Sequence, residues 1–203
     1  YKAKTTLLGG TTNCEECGVN PHWTERLAQF RAFPSQAVNV FLGDSIVHVG
    51  HWREIFPNHS VLNRGIGFDK TTDVLARLGT AVSANPRRVF IMMGVNDFNL
   101  ARREPGDVFA TYVQVIEGLT ARDIDVVIQS TIECADCGNS TEKIRRLNSM
   151  LEDYCDAHRL VYLDLNRALA DSGGLRTEYQ QDGVHPNVAG YKVWAALVEP
   201  LLL

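Results

Sequence analysis

A three-layer α/β/α sandwich on a five-stranded parallel sheet is what this 203-residue sequence predicts. Three observations lead there. Short, almost wholly apolar runs recur along the chain, stretches of helical period lie between them, and glycine or polar residues follow the apolar runs. Brief all-apolar strands are those covered on both faces, and strands alternating with helices build a parallel sheet clothed on both sides.

The elements follow in order. Residues 1–20 are polar, rich in Thr and Gly, and read as an irregular arm ahead of a short helix at 22–33. Residues 1–35 are accordingly set apart from a domain spanning 36–203. The apolar run 38–42, ending in Gly43, is the first strand, and the weaker run 61–62 the second. Residues 89–93, 126–128 and 161–163 supply the other three. Helical patterns occupy 71–83, 108–120, 141–158 and 188–201, with Ser140 as a start signal for the third. Strand order is not written in one sequence. The flavodoxin-like order 2-1-3-4-5, the usual solution for five such units, is adopted by analogy.

Composition narrows the function. An apolar fraction of 45% and a charged fraction of 22% belong to an ordinary globular chain able to bury a core. A net charge of −4 and a pI of 5.9 give no electrostatic ground for nucleic acid or an anionic membrane as partner. No apolar run approaches the roughly 18 residues of a membrane span. A chain opening on Tyr1 is expected to be processed or trimmed, so a leader or anchor could have been lost. The compartment stays open, leaning extracytoplasmic, and so does the oligomeric state.

In open parallel sheets, ligands bind beyond the carboxyl ends of the strands. Gly43-Asp44-Ser45-Ile46 follows the first strand, and Asn63-Arg64-Gly65-Ile66-Gly67-Phe68-Asp69 follows the second. Gly94-Val95-Asn96-Asp97 follows the third, and Asp182-Gly183-Val184-His185 precedes the last helix. A hydroxyl, a glycine-rich loop, an amide and an Asp/His pair thus converge on one rim. Those are the parts acyl transfer needs: a nucleophile, a base, a carboxylate to orient the base, and oxyanion donors.

In these four blocks the sequence resembles the SGNH hydrolases, or GDSL esterases, from about residue 38 to the C-terminus. It is most similar to the branch of platelet-activating-factor acetylhydrolase-like and carbohydrate O-acetylesterases. The resemblance implies that Ser45 attacks an ester carbonyl, that His185 is its base, and that Asp182 orients the imidazole. It implies an oxyanion hole from the Ser45 N–H, the Asn96 amide and an N–H of the second block, at Phe68. The implied substrate is a short-acyl ester, acetyl foremost, with a carbohydrate as a candidate bearer, and catalysis needs no cofactor. An acyltransferase using the same triad, or a silent binding module, is the alternative. One position departs from the family pattern, because Phe68 stands where a glycine usually precedes the aspartate. Either that loop is rebuilt or Phe68 walls the substrate pocket, with His48 and Phe98 as further candidate lining. His48 and His51 also have a spacing that could ligate metal, though no acidic third ligand lies nearby.

The five cysteines stand outside that resemblance. Cys14-Glu15-Glu16-Cys17-Gly18 and Cys134-Ala135-Asp136-Cys137-Gly138 share one form. Two such knuckles suit a structural Zn²⁺ held by Cys14, Cys17, Cys134 and Cys137. Disulfides are the alternative, favoured in an oxidising compartment. Cys155, alone in a helical pattern, is expected in the core.

Overall fold

The computed structural model describes residues 21–203, apart from Asp136. Strands β1 (Asn39–Gly43), β2 (Val61–Gly65), β3 (Arg88–Met92), β4 (Asp125–Gln129) and β5 (Val161–Leu163) form one parallel sheet. Its order is β2-β1-β3-β4-β5, the one taken from the sequence by analogy. Gly43 lies level with Gly65 on one side and Met92 on the other. The three strands therefore end together, and the loops that leave them share a rim.

The described helices are α1 (Pro21–Ala32), α2 (Ser45–His48), α3 (Trp52–Ile55), α4 (Thr71–Ala76), α5 (Gly79–Val82), α6 (Val95–Asn99), α7 (Pro105–Thr120), α8 (Asn139–His158), α9 (Asn166–Leu169) and α10 (Val188–Val198). The crossover from β1 to β2 runs one way along the sheet, and those to β3, β4 and β5 run the other. Right-handed connections then place α3 on one face and α4, α7 and α8 on the opposite one. Contacts agree. Phe41 of β1 stacks on Trp52 of α3 at 4.1 Å between ring centroids, and Trp52 meets Trp194 of α10 edge-on at 4.8 Å. On the far face α7 packs between α4 and α8. Val40, Phe41, Leu42, Phe90, Ile91 and Ile128 are wholly buried, as two-sided cover requires.

Several boundaries differ from those expected. The 71–83 pattern is two helices, because the Thr80 hydroxyl donates to the Arg77 carbonyl and helix-breaking Gly79 stands beside it. Helix α8 starts at Asn139 behind a left-handed Gly138, ahead of the Ser140 start signal. Helix α10 tightens into a 3₁₀ turn, Glu199–Leu201, where Pro200 has no N–H to give. A two-residue hairpin, β6 (Ala170–Asp171) with β7 (Gly174–Leu175), was not expected, being too short for any periodic signal. Its Gly174 is obligatory: φ is +97°, and a Cβ there would lie 2.4 Å from the Cys134 carbonyl.

Of the four cysteines expected to share a metal, Cys14 and Cys17 lie outside the described residues. Cys134 and Cys137 are joined to each other as a disulfide, with Cα atoms 5.6 Å apart. That corrects the zinc reading for this pair, because a sulfur spent in a disulfide is no longer a thiolate ligand. Among the described residues no three His, Cys, Asp or Glu side chains gather as a metal site. Cys155 is buried in the core, as expected, and burial pushes its thiol up to about 11. No described helix is long and apolar enough to cross a membrane.

Candidate active site

Ser45 opens α2 directly beyond β1. Asp44 caps that helix, its Oδ1 accepting the Ile46 N–H at 3.0 Å. Gly43 is needed immediately before it, because a Cβ would lie 1.9 Å from the Met92 carbonyl of the neighbouring strand. Helix α2 is also tied at its far side, where the Tyr191 hydroxyl donates to the Ile46 carbonyl. Ser45 is thus held at the rim by α2, β1 and α10 together.

Asp182 and His185 reach that rim from the turn before α10. The Gln181 N–H donates to the His185 carbonyl at 2.8 Å and closes the turn. Asn187 caps α10 by accepting the Gly190 N–H at 3.0 Å. Within the turn, Asp182 Oδ1 accepts the N–H groups of His185 (2.8 Å) and Val184 (3.1 Å). Its Oδ2 lies 2.8 Å from His185 Nδ1, and His185 Nε2 lies 2.9 Å from Ser45 Oγ. Partial burial would raise the Asp182 carboxyl, but these hydrogen bonds outweigh it and hold the group below the usual carboxylate range. The carboxylate is half exposed, so it stays ionised and well hydrated at neutral pH.

The second and third blocks are locked together by charge. Burial pushes Asp69 up to about 6, with Arg77 opposing that rise, so it is ionised at neutral pH. Arg77 Nε meets Asp69 Oδ2 at 2.7 Å, and its Nη2 donates to the Gly43 carbonyl at 2.9 Å. The Trp23 indole N–H of α1 donates to Asp69 Oδ1 at 2.5 Å, and the Asn96 amide donates to the Asp69 carbonyl at 3.0 Å. Buried Asp97 accepts the Thr71 N–H (2.8 Å) and hydroxyl (2.8 Å) and the Arg103 guanidinium (2.6 Å). Nothing in the sequence pattern marks Trp23 or Arg103 as part of this frame.

A Cβ added to Gly67 would lie 4.0 Å from the Ser45 Cβ and 3.8 Å from His48 Nδ1, so the second block comes up against the serine. Among the described residues, the N–H groups of Ser45, Gly67 and Phe68 have no acceptor. Asn96 lies in the first turn of α6, behind a left-handed Gly94 (φ +124°). The N–H groups of Ser45 and Gly67 therefore lie close together, with that of Phe68 next in the chain.

Comparisons with known proteins give the family. Residues 41–193 match the model of the GDSL-like Lipase/Acylhydrolase family. The chain belongs to that family. It is 28% identical to the platelet-activating factor acetylhydrolase IB subunit alpha1 of Bos taurus, over 81% of this chain and 74% of that one. It is 24% identical to an N-acylneuraminate cytidylyltransferase of Streptococcus agalactiae serotype V, over 76% of this chain and 36% of that one. A GDSL-like lipase from Bacteroides thetaiotaomicron VPI-5482 superposes with a TM-score of 0.78 at 23% identity, over 88% of this chain and 96% of its own. That last likeness speaks to the fold. This GDSL hydrolase is a carboxylic ester hydrolase, and its family needs no cofactor.

The expected pocket residues of the hydrolase separate in the structure. Phe68 keeps the left-handed backbone that the glycine of the family pattern would adopt, at φ +68°, and its ring is 60% exposed. Phe68 itself bears that backbone strain. His48 is half-buried near Gly67, and burial, with Arg26 and Arg77 nearby, lowers its imidazole and keeps it neutral. Phe98 is almost wholly buried, yet it borders a cleft that Val184 of the Asp182–His185 turn also lines. His51 caps α3, faces solvent and lies 4.0 Å from Glu54, so α2 and α3 part the histidine pair.

Two measurements test these assignments. A non-glycine residue in the left-handed region costs about 1–2 kcal/mol, and an exposed ring recovers little of it. Phe68→Gly is expected to stabilise the protein by about 0.5–1 kcal/mol once the entropy of the new glycine is deducted. A clear loss of stability in urea unfolding would show instead that contacts hold the ring. Asp44 is fully buried with Oδ2 unpartnered, and burial pushes its carboxyl up to about 7. The folded state therefore keeps a proton there between pH 4 and 7 that the unfolded chain releases, so this group's contribution to stability falls as pH rises through that window. Asp44→Asn keeps the cap and removes the charge, so its stability relative to wild type should climb from pH 4 to 7. A gap that does not change with pH would rule this out.

Proposed function

We propose that the hydrolase is a serine esterase acting through Ser45, His185 and Asp182 on short-acyl esters, acetyl esters in particular, borne by a small molecule or carbohydrate. The observation that carries it is the run of contacts from Asp182 Oδ2 through the imidazole to Ser45 Oγ, 2.8 and 2.9 Å long. With Nδ1–H donated to Asp182, Nε2 is free to accept the serine proton. Ser45 Oγ attacks the ester carbonyl as His185 takes that proton and passes it to the departing alcohol. Water, deprotonated by the same imidazole, then releases the acid and restores the serine. The oxyanion is met by the N–H groups of Ser45 and of Gly67 or Phe68, with the Asn96 amide alongside. A small acyl group is supported by Gly67, which faces Ser45 without a side chain while His48 stands behind it. The similarity to an acetylhydrolase subunit points the same way.

Hydrolysis of p-nitrophenyl acetate is the direct assay. Ser45→Ala and His185→Ala should each remove nearly all activity while the fold persists, because the groups act as a unit. A fluorophosphonate should label Ser45, and labelling of a different serine would end this reading. Asn96→Ala is expected to lower kcat by about 10²–10³-fold with little change in KM, as loss of one preorganised oxyanion donor does. A change confined to KM would make Asn96 a ground-state contact instead.

A further inference from the structure

Beside the catalytic turn lies a cleft of about 630 Å³, bordered by Phe98, Asn99, Arg102, Asn139, Lys143 and Val184. Three of these tie it to the reacting centre. Val184 sits between Asp182 and His185 in sequence, and Phe98 and Asn99 follow Asn96 on α6. The cleft thus adjoins the turn that carries His185, the residue read as handing its proton to the leaving alcohol, and its volume is that of a small-ligand site.

Its charge is one-sided. Arg102 and Lys143 line it, and no described lining residue is acidic. Lys143 is already engaged, its Nζ 2.7 Å from Glu104 and 3.2 Å from the Arg103 carbonyl. Arg103, next in the chain, is spent on Asp97, Thr71, Thr111 and the Asp107 carbonyl. Arg102 is different: its guanidinium has no partner among the described residues, and it stands on a left-handed backbone at φ +51°. The chain accepts that strain between two residues that are firmly bonded, for the Ala101 N–H donates to Asn96 and the Arg103 N–H to Asp97. Across the cleft, the twenty-residue α8 begins without a side-chain cap, and Asn139 and Ser140 of its first turn also line the cleft. The wall is stapled by the Cys134–Cys137 disulfide, with the Asn99 amide 3.1 Å from Cys137 Sγ.

We propose that this cleft binds an anionic group, a carboxylate or a phosphate, on the alcohol part of the ester, with Arg102 as its counter-ion. The preferred substrate is then an acylated acidic molecule, such as a short-acyl ester of an acidic sugar, rather than a neutral one. This deepens the serine-esterase reading and rests on it for the placing of the alcohol side. A guanidinium suits either anion, because its fork matches the oxygens of both.

Three acetyl esters decide it: 4-acetoxybenzoate, its neutral methyl ester, and 4-acetoxyphenyl phosphate. Arg102→Gln should raise KM for an anionic ester about tenfold more than for the neutral one, the scale of one charge-assisted hydrogen bond. Arg102→Lys should recover part of the loss, and added salt should weaken the wild-type preference. Whichever anion shows the loss identifies carboxylate or phosphate. Equal effects on all three esters, or none, would overturn the proposal. A thermal-shift titration with galacturonate, glucose 6-phosphate and neutral galactose separates the two readings. A rise in Tm with an acidic sugar only, absent in Arg102→Gln, upholds the cleft even if none of the esters is turned over. Turnover of all three esters without charge discrimination upholds the esterase and refutes the cleft.

Discussion

The site depends on one buried ion pair. Asp69 and Arg77 lie in the interior with their charged groups in contact, and each also bonds a different part of the rim. Arg77 reaches the carbonyl of Gly43, two residues before the serine. Asp69 takes the Trp23 indole through its carboxylate and the Asn96 amide through its carbonyl. Strand β1, helix α1, the second-block loop and helix α6 are therefore fixed relative to one another by two side chains. Desolvating such a pair is costly, and its net gain in stability is small; removing one partner is what destabilises, by about 3–5 kcal/mol. Its evident use here is to set positions.

That lock explains how a loop with a bulky residue in the left-handed region survives. Phe68 sits next to Asp69, and an anchored Asp69 leaves its neighbour no route to a relaxed backbone. Strain at one residue is tolerated because several hydrogen bonds over-determine the loop. The same loop keeps its Gly67 and Phe68 N–H groups without an acceptor among the described residues. Helix α1 takes part although it precedes the family match at residues 41–193. Leu27 and Phe30 pack on Ile66 of the same loop, and the Arg64 guanidinium lies over the Phe30 ring.

The opposite flank is organised by the loop after β4. There the Ala135 N–H donates to the Gly183 carbonyl in the turn between Asp182 and His185, and the Leu175 N–H to the Glu133 carbonyl. Gly183, at φ +83°, and Gly174 are the backbone positions that let these segments approach. The disulfide between Cys134 and Cys137 closes this loop at the mouth of the cationic cleft. The Asp182–His185 turn, the disulfide loop and the cleft are consequently one packed unit built from segments far apart in the chain.

The sequence by itself determined whatever depends on neighbouring residues. All-apolar runs such as 89–93 mark strands, Asp44 caps the helix it precedes, and the three-residue spacing of Asp182 and His185 lets one turn hold both. The four blocks were legible too, because each lies at the end of an element whose period is local. Strand order came only by analogy, and the break at Arg77, the β6–β7 hairpin and α1's hold on Asp69 carried no periodic signal. Tertiary structure alone decided that Ser45 and His185 meet across 140 residues, that Cys134 pairs with Cys137, and that Arg102 borders a cleft with no partner among the described residues. The reason is physical. Capping and periodicity are settled within a few residues of chain, whereas these contacts exist only once the sheet has brought distant loops to one rim.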